Sequence, residues 1–323
     1  MTDNHAPDLS APLPTGAGTD ASPAGERLTV AVLGPGGVGG LLAALMARAG
    51  HRVICLARDE TARTLHTGGI HVHSGPFGDF TARVAADTEL REPVDACLIA
   101  VKHTALDEAL HRVPPHALGE NGLVVPFLNG VEHPAALRAR YGAARVAPAV
   151  IRVESTRVAP GVIEHGSPFA EIDLTGDTVP RERLDALAGA LAKAGPAVRV
   201  RDDEAATLWA KMSFLAPFAL LTTRYGLPLG DVRTGHRAEL TALVEETAAV
   251  SRASGAPADP AQALARYDAF PPDTRSSMQR DAEAGRPLEL DAIGGALLRA
   301  AERHGVSVPV AARLVRELAD AAR

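Results

Sequence analysis

Leu28-Thr-Val-Ala-Val-Leu33, followed by Gly34-Pro35-Gly36-Gly37-Val38-Gly39-Gly40 and then by Leu41 to Gly50, is the stretch that decides how this chain folds. The first segment is a continuous apolar run with β-branched residues, the pattern of a strand buried on both faces. The second is a glycine turn. Leu41 to Ala49 is small, apolar and helix-favouring, and Gly50 stands at a C-cap position. Arg52-Val-Ile-Cys-Leu-Ala57 reads as a second strand, so the segments form one βαβ unit, parallel and right-handed.

Outward from this unit the strand pattern returns at Val94 to Val101, Leu123 to Phe127 and Val146 to Ile151. Asp107 to Val113 and His133 to Tyr141 are the candidate crossover helices. The alternation from Val162 to Leu174 predicts antiparallel strands at the far edge of the sheet. Arg181 to Ala194 reads as a helix and Ala197 to Val200 as a last strand. Beyond Asp202 the β-branched runs disappear, and Leu208–Thr223, Thr234–Ser254, Pro260–Tyr267, Ile293–His304 and Ala311–Ala322 are helical in character. The expected fold is α/β: an N-terminal Rossmann-type parallel-sheet domain over 27–202 and an all-helical C-terminal domain over 203–323. A cleft between the two, at the carboxyl ends of the strands, is where a substrate is expected. Met1 to Gly25 lacks the basic start and apolar core of a signal peptide. Residues 1–26 are therefore expected to be a disordered leader.

The chain has 323 residues, 46% of them hydrophobic and 22% charged, as in a soluble globular protein. Its net charge of -6 argues against nucleic acid as a partner, although a locally positive pocket can still take a small anion. No run is apolar and unbroken enough to be expected to cross a bilayer. The two cysteines, Cys55 and Cys97, lie in apolar strand-like runs, so they read as core residues in a reducing cytoplasm. No metal site is expected.

Gly34, Gly36 and Gly39 have the spacing of a dinucleotide-binding turn, and the strand before and helix after them supply its context. Gly34 allows the tight turn, Gly36 lets backbone approach a pyrophosphate, and Gly39 lets the helix pack against its strand. The N–H groups of Gly34, Pro35-following Gly36, Gly37, Val38 and Gly39 then face the diphosphate at a helix start. At the end of the second strand an NAD site usually has an acid to hold the ribose 2′-hydroxyl. Here Arg58 stands there, with Asp59 beside it. A guanidinium can bind a 2′-phosphate bidentately, so NADP(H) is the favoured cofactor and a solvated strand-end charge the alternative. Lys102 either contacts cofactor phosphate or ribose or is a plain surface lysine.

Several separated segments together resemble the ketopantoate reductase (2-dehydropantoate 2-reductase) family. They are Thr29 to Gly39, Gly50 to Arg58, Val101-Lys-His103, Leu128-Asn-Gly-Val131 and Leu208-Trp-Ala-Lys-Met212. Ser276-Ser-Met278, Glu283-Ala-Gly-Arg-Pro287, Glu289-Leu-Asp291 and His304-Gly-Val-Ser-Val-Pro309 complete the set. The resemblance implies NADPH-dependent reduction of a 2-oxo acid, ketopantoate to pantoate, on the route to coenzyme A. It implies Lys211 as the catalytic lysine, Glu289 as the carboxylate that orients the lysine or the substrate hydroxyl, and Ser277 as a ligand of the substrate carboxylate. Asn129 would lie in the turn beside the nicotinamide, touching cofactor and substrate. Where members of that family place asparagines four and eight residues after the lysine, this chain has Leu215 and Ala219. Those spacings share one helical face with Lys211, and an apolar pair cannot hydrogen-bond a hydroxyl or carboxylate. Ser213, Thr222 and Thr223 are candidate replacements, and Pro217 is expected to kink the helix. A paralogous reductase of a more apolar 2-oxo acid or another carbonyl compound, and a non-catalytic NADP(H) sensor, remain as alternatives. Helical second domains of this kind often pair, so a homodimer is also carried as an expectation.

Overall fold

The computed structural model describes residues 27–322; the expected leader lies outside the described residues. The chain runs β1 (Thr29–Leu33), α1 (Gly37–Arg48), β2 (Arg52–Leu56), α2 (Asp59–Gly68), β3 (Ile70–Ser74), β4 (Phe80–Ala82), β5 (Ala85–Asp87) and β6 (Val94–Ile99). It continues through α3 (Leu106–Leu110), β7 (Leu118–Pro126) and α4 (His133–Tyr141). Five of these strands form one parallel sheet in the order β5-β2-β1-β6-β7. β1 lies at its centre. Val30 and Val32 pack with Leu41 and Leu45 of α1 on one face, while Ala31 and Leu33 join Ile99, Val124 and Leu137 in a second core on the other. Burial on both faces is why β1 reads as an unbroken apolar run rather than an alternating one. Cys55 and Cys97 are free and buried in these cores, and burial pushes both thiols up to about 12.

The next elements are β8 (Ala149–Arg152), β9 (Ser155–Ala159), β10 (Val162–His165), β11 (Glu171–Leu174), α5 (Arg181–Lys193) and β12 (Ala197–Val200). Here the structure corrects two expectations. Val162–Leu174 does not extend the far edge of the main sheet. β10 belongs to a four-stranded sheet, β4-β3-β10-β9, and β11 to a three-stranded one, β12-β11-β8. The interruption at Gly166-Ser-Pro168 explains the split, because proline has no N–H for a ladder. β8 likewise leaves the main sheet: only Val146 bridges to Val124, and after Pro148 the chain pairs antiparallel with β11.

The helical half comprises α6 (Glu204–Tyr225), α7 (Leu229–Gly235), α8 (Arg237–Ala253), α9 (Pro260–Ala269), α10 (Ser277–Glu283), α11 (Ala296–His304) and α12 (Pro309–Ala321). A π-helical turn, Asp291–Gly295, leads into α11. The helix expected over Thr234–Ser254 is two helices, broken at Gly235 and His236. α6 starts at Asp203, whose side chain accepts the Ala206 N–H at 2.8 Å, and ends at left-handed Gly226. Contrary to expectation, α6 is long and apolar enough by composition to cross a bilayer; here it is the central helix of a core that includes Met212, Leu220, Leu240, Leu297 and Leu314. It also runs on through Pro217. The proline cannot donate to the Ser213 carbonyl, and one residue on, the buried Tyr267 hydroxyl donates to the Phe214 carbonyl at 2.5 Å while its ring stacks on Phe214. That contact pins the helix one turn beyond Lys211.

Candidate active site

The glycine turn separates what the chain needs from what it leaves open. Gly34 has φ +85°, and a Cβ there would sit 2.5 Å from a Val101 methyl. At Gly39 a Cβ would run into the Gly34 carbonyl. At Gly36 it would meet nothing nearer than 4.0 Å, so the bare backbone there opens outward. α1 begins at that point with no side-chain cap and no acid in its first turn. Its first N–H groups are therefore available to an anion, and the cradle fits a diphosphate. Arg58 stands exposed at the N-cap of α2, at the end of β2, and its guanidinium has no hydrogen-bond partner among the described residues.

Lys102 does not stand free at the strand end. It pairs with Asp281 of α10, a carboxylate that is only 4% exposed and also accepts from Arg286 at 2.9 Å. Sequence reasoning missed Asp281, because nothing in its local pattern shows which residue it meets 179 positions away. A second pair between the halves, Arg280 to Glu154 at 2.9 Å, lies on the same short helix. Ser277, one residue away from the N-cap, is exposed and its hydroxyl makes no hydrogen bond among the described residues; Ser276 is the cap, accepting the Gln279 N–H at 3.0 Å.

Glu289 is the strongest link between the halves. It comes from the helical half and is 7% exposed, yet both its carboxylate oxygens are held by the other half. Oε1 accepts the His103 backbone N–H at 2.8 Å, and Oε2 accepts from the Asn129 amide at 3.0 Å. Glu289 is held by these two donors, and no ion pair joins it to Lys211 among the described residues. The turn that delivers Asn129 depends on Gly130, with φ +91°, where a Cβ would lie 2.5 Å from the Ala292 carbonyl. Only glycine permits both that conformation and that approach.

Lys211 projects from α6 seven residues after Glu204, whose carboxylate pairs with Arg138 of α4 at 2.5 Å. No acceptor among the described residues hydrogen-bonds its ammonium. Burial draws its pKa down to about 8; the negative charge of Glu289 pulls it back up, and Arg152 adds to the lowering. An ammonium whose pKa is lowered this far can both polarise an acceptor and release a proton.

The wall beyond Lys211 is apolar. Leu215 is partly buried, Ala219 is 1% exposed, and both pack into the helical core. Thr222 is not free to replace the missing polar groups, because its hydroxyl is engaged by the Phe218 carbonyl and the Ser276 hydroxyl. Ser213 and Thr223 are different: their hydroxyls are buried without a partner among the described residues.

Two family profiles match the chain: "Ketopantoate reductase PanE/ApbA" over residues 30–174 and "Ketopantoate reductase PanE/ApbA C terminal" over residues 203–322. A 2-dehydropantoate 2-reductase of Caulobacter vibrioides is 30% identical over 298 residues, 89% of this chain and 97% of its own length. An uncharacterized oxidoreductase of Bacillus subtilis, YkpB, is also 30% identical, over 86% of this chain and 94% of its own. The crystal structure of a PanE/ApbA family ketopantoate reductase from Ralstonia eutropha superposes with a TM-score of 0.82 at 30% identity, covering 91% of this chain and 99% of that one.

Proposed function

Because the chain belongs to the ketopantoate reductase family, a family of oxidoreductases, we propose that it reduces 2-dehydropantoate to pantoate with NADPH. In this reading 27–202 is the nucleotide unit and 203–323 the substrate unit. The observation that carries it is the junction at Glu289. One carboxylate from the helical half is seated on Asn129 and His103 of the nucleotide half, and the unpartnered Lys211 ammonium feels its charge.

The turn from Gly34 to Gly39 would hold the diphosphate and Arg58 the 2′-phosphate, while Asn129 and Lys102, the latter still half-exposed in its pair with Asp281, would lie on the ribose and nicotinamide side. Bound NADPH supplies a hydride to the keto carbon. Lys211 hydrogen-bonds the keto oxygen, stabilises negative charge as it develops there, and delivers the proton that completes the alcohol. Glu289 keeps that ammonium charged by its field while holding the two halves in register. In this reading the exposed Ser277, beside the cap of α10, hydrogen-bonds the substrate carboxylate.

Leu215 and Ala219 favour a second reading, a 2-oxo acid with a more apolar side chain. An apolar wall leaves a substrate hydroxyl without a partner, which costs roughly 1–3 kcal/mol, whereas it rewards a buried alkyl or aryl group. NADPH oxidation with 2-dehydropantoate beside a panel of branched and aromatic 2-oxo acids decides. The proposal expects the highest kcat/KM for 2-dehydropantoate. A lead of tenfold or more for an apolar acid moves the assignment to the second reading, and turnover with none of them leaves a nucleotide-binding sensor.

A further inference from the structure

His133 opens α4 four residues after Asn129, and it is 1% exposed. Both of its ring nitrogens, Nδ1 and Nε2, are buried without a hydrogen-bond partner among the described residues. It is the only described histidine of which this is true. A neutral imidazole carries one donor and one acceptor, and protein cores seldom leave both unmet, so such a ring points to a missing water or ligand.

Its surroundings say which. The loop from Asn129 to Glu132 is clamped onto the helical half: Asn129 donates to Glu289, Gly130 abuts the Ala292 carbonyl, and Glu132 pairs with Arg299 and Arg303. Farther along α4, Arg138 meets Glu204 on α6, and Lys211 lies two helical turns on from Glu204. His133 is thus held in the seam between the halves, alongside the N-terminal part of α6. Burial above all keeps the ring neutral, and the charges of His103, Lys211 and Arg138 acting on it work in the same direction. Among such neighbours the ring nitrogen that lacks a proton is the useful one, because it can accept.

We infer that His133 is a positioning residue for Lys211, its unprotonated ring nitrogen accepting, through one buried water, a hydrogen bond that aims the ammonium at the substrate. The water has the polar partners it needs in the ring and the ammonium. The inference rests on the proposed role of Lys211 and adds the group that orients it. Glu289 supplies field; His133 supplies direction.

The test compares His133→Gln, which keeps a donor and an acceptor, with His133→Leu, which keeps only bulk. Each is assayed for kcat, KM, NADPH affinity and the pH profile of kcat/KM, after thermal melts identify the folded variants. His133→Leu is expected to lower kcat about 30-fold, leave NADPH affinity unchanged, and move the alkaline limb of the profile to lower pH, because the ammonium has lost an acceptor. His133→Gln is expected to recover most of kcat and the position of the limb. A folded His133→Leu with unchanged kcat and an unmoved limb overturns the inference, as does a Gln variant no better than Leu. Should Leu fail to fold, a Gln variant with the wild-type profile supports the inference and one with a displaced profile refutes it. Failure of the underlying reading shows separately: Lys211→Ala would then turn over at the wild-type rate.

Discussion

The glycine turn and the Glu289 junction are built by opposite means. Between Leu33 and Gly40 the shape is carried by contiguous backbone, with Gly39 making room for the Gly34 carbonyl and Gly34 for Val101 just beyond β6. Around Glu289 the parts come from His103, Asn129, Lys211 and the start of the π-helical turn, separated by as many as 186 positions. The turn is a local object that any βαβ unit can carry, whereas the junction exists only when two folded halves are docked. If the proposed function holds, binding of the nucleotide and chemistry on the carbonyl are therefore expected to fail separately.

The sharpest way to break that comparison is Lys211→Ala. With the ammonium gone, kcat should fall about 10³-fold, in the range seen for lost acids and oxyanion donors, while NADPH titrated by fluorescence binds as before. A matching loss of nucleotide affinity would show that the two regions are not separable. Arg58→Asp should act from the other side. The KM for NADPH is expected to rise about 100-fold, with KM for NADH changed little and kcat on saturating cofactor retained; equal losses on both cofactors would refute the 2′-phosphate role.

The smallest effect is graded with pH. Because Lys211 is drawn down to about 8, its ammonium predominates below that value and is lost above it. kcat/KM should be flat on the acid side of about 8 and fall tenfold per unit on the alkaline side; a flat profile to pH 10 would exclude Lys211 as the acid. Stability runs the other way. The unfolded chain holds this proton up to its ordinary 10.5, so between about 8 and 10.5 the unfolded state binds more protons and this group's contribution to stability rises with pH.

Much of the fold was legible in the chain itself, for reasons that particular residues make plain. β1 and β6 are buried on both faces, so they show as continuous apolar runs. Short strands such as β3, with buried and exposed residues alternating through Ile70-His-Val-His-Ser74, and β5, only three residues long, leave too little pattern to read. The destination of β8 and β11 also escaped, since an apolar strand states that it is buried but not which sheet it joins. At the site, the motifs named Lys211, Glu289 and Asn129. They could not reveal that Glu289 is held by His103 and Asn129, that Lys102 is spoken for by Asp281, or that His133 is buried with its nitrogens unmet.

By itself, then, the sequence determined the glycine turn, the Arg58 that follows it, and the change from strand-rich to helical composition beyond Asp202, because each is written in neighbouring residues and depends on local sterics and periodicity. The tertiary structure alone decided which carboxylate sits on which donor and how far burial lowers the Lys211 ammonium. Desolvation and charge fall off with distance through space, and distance along the chain does not report them.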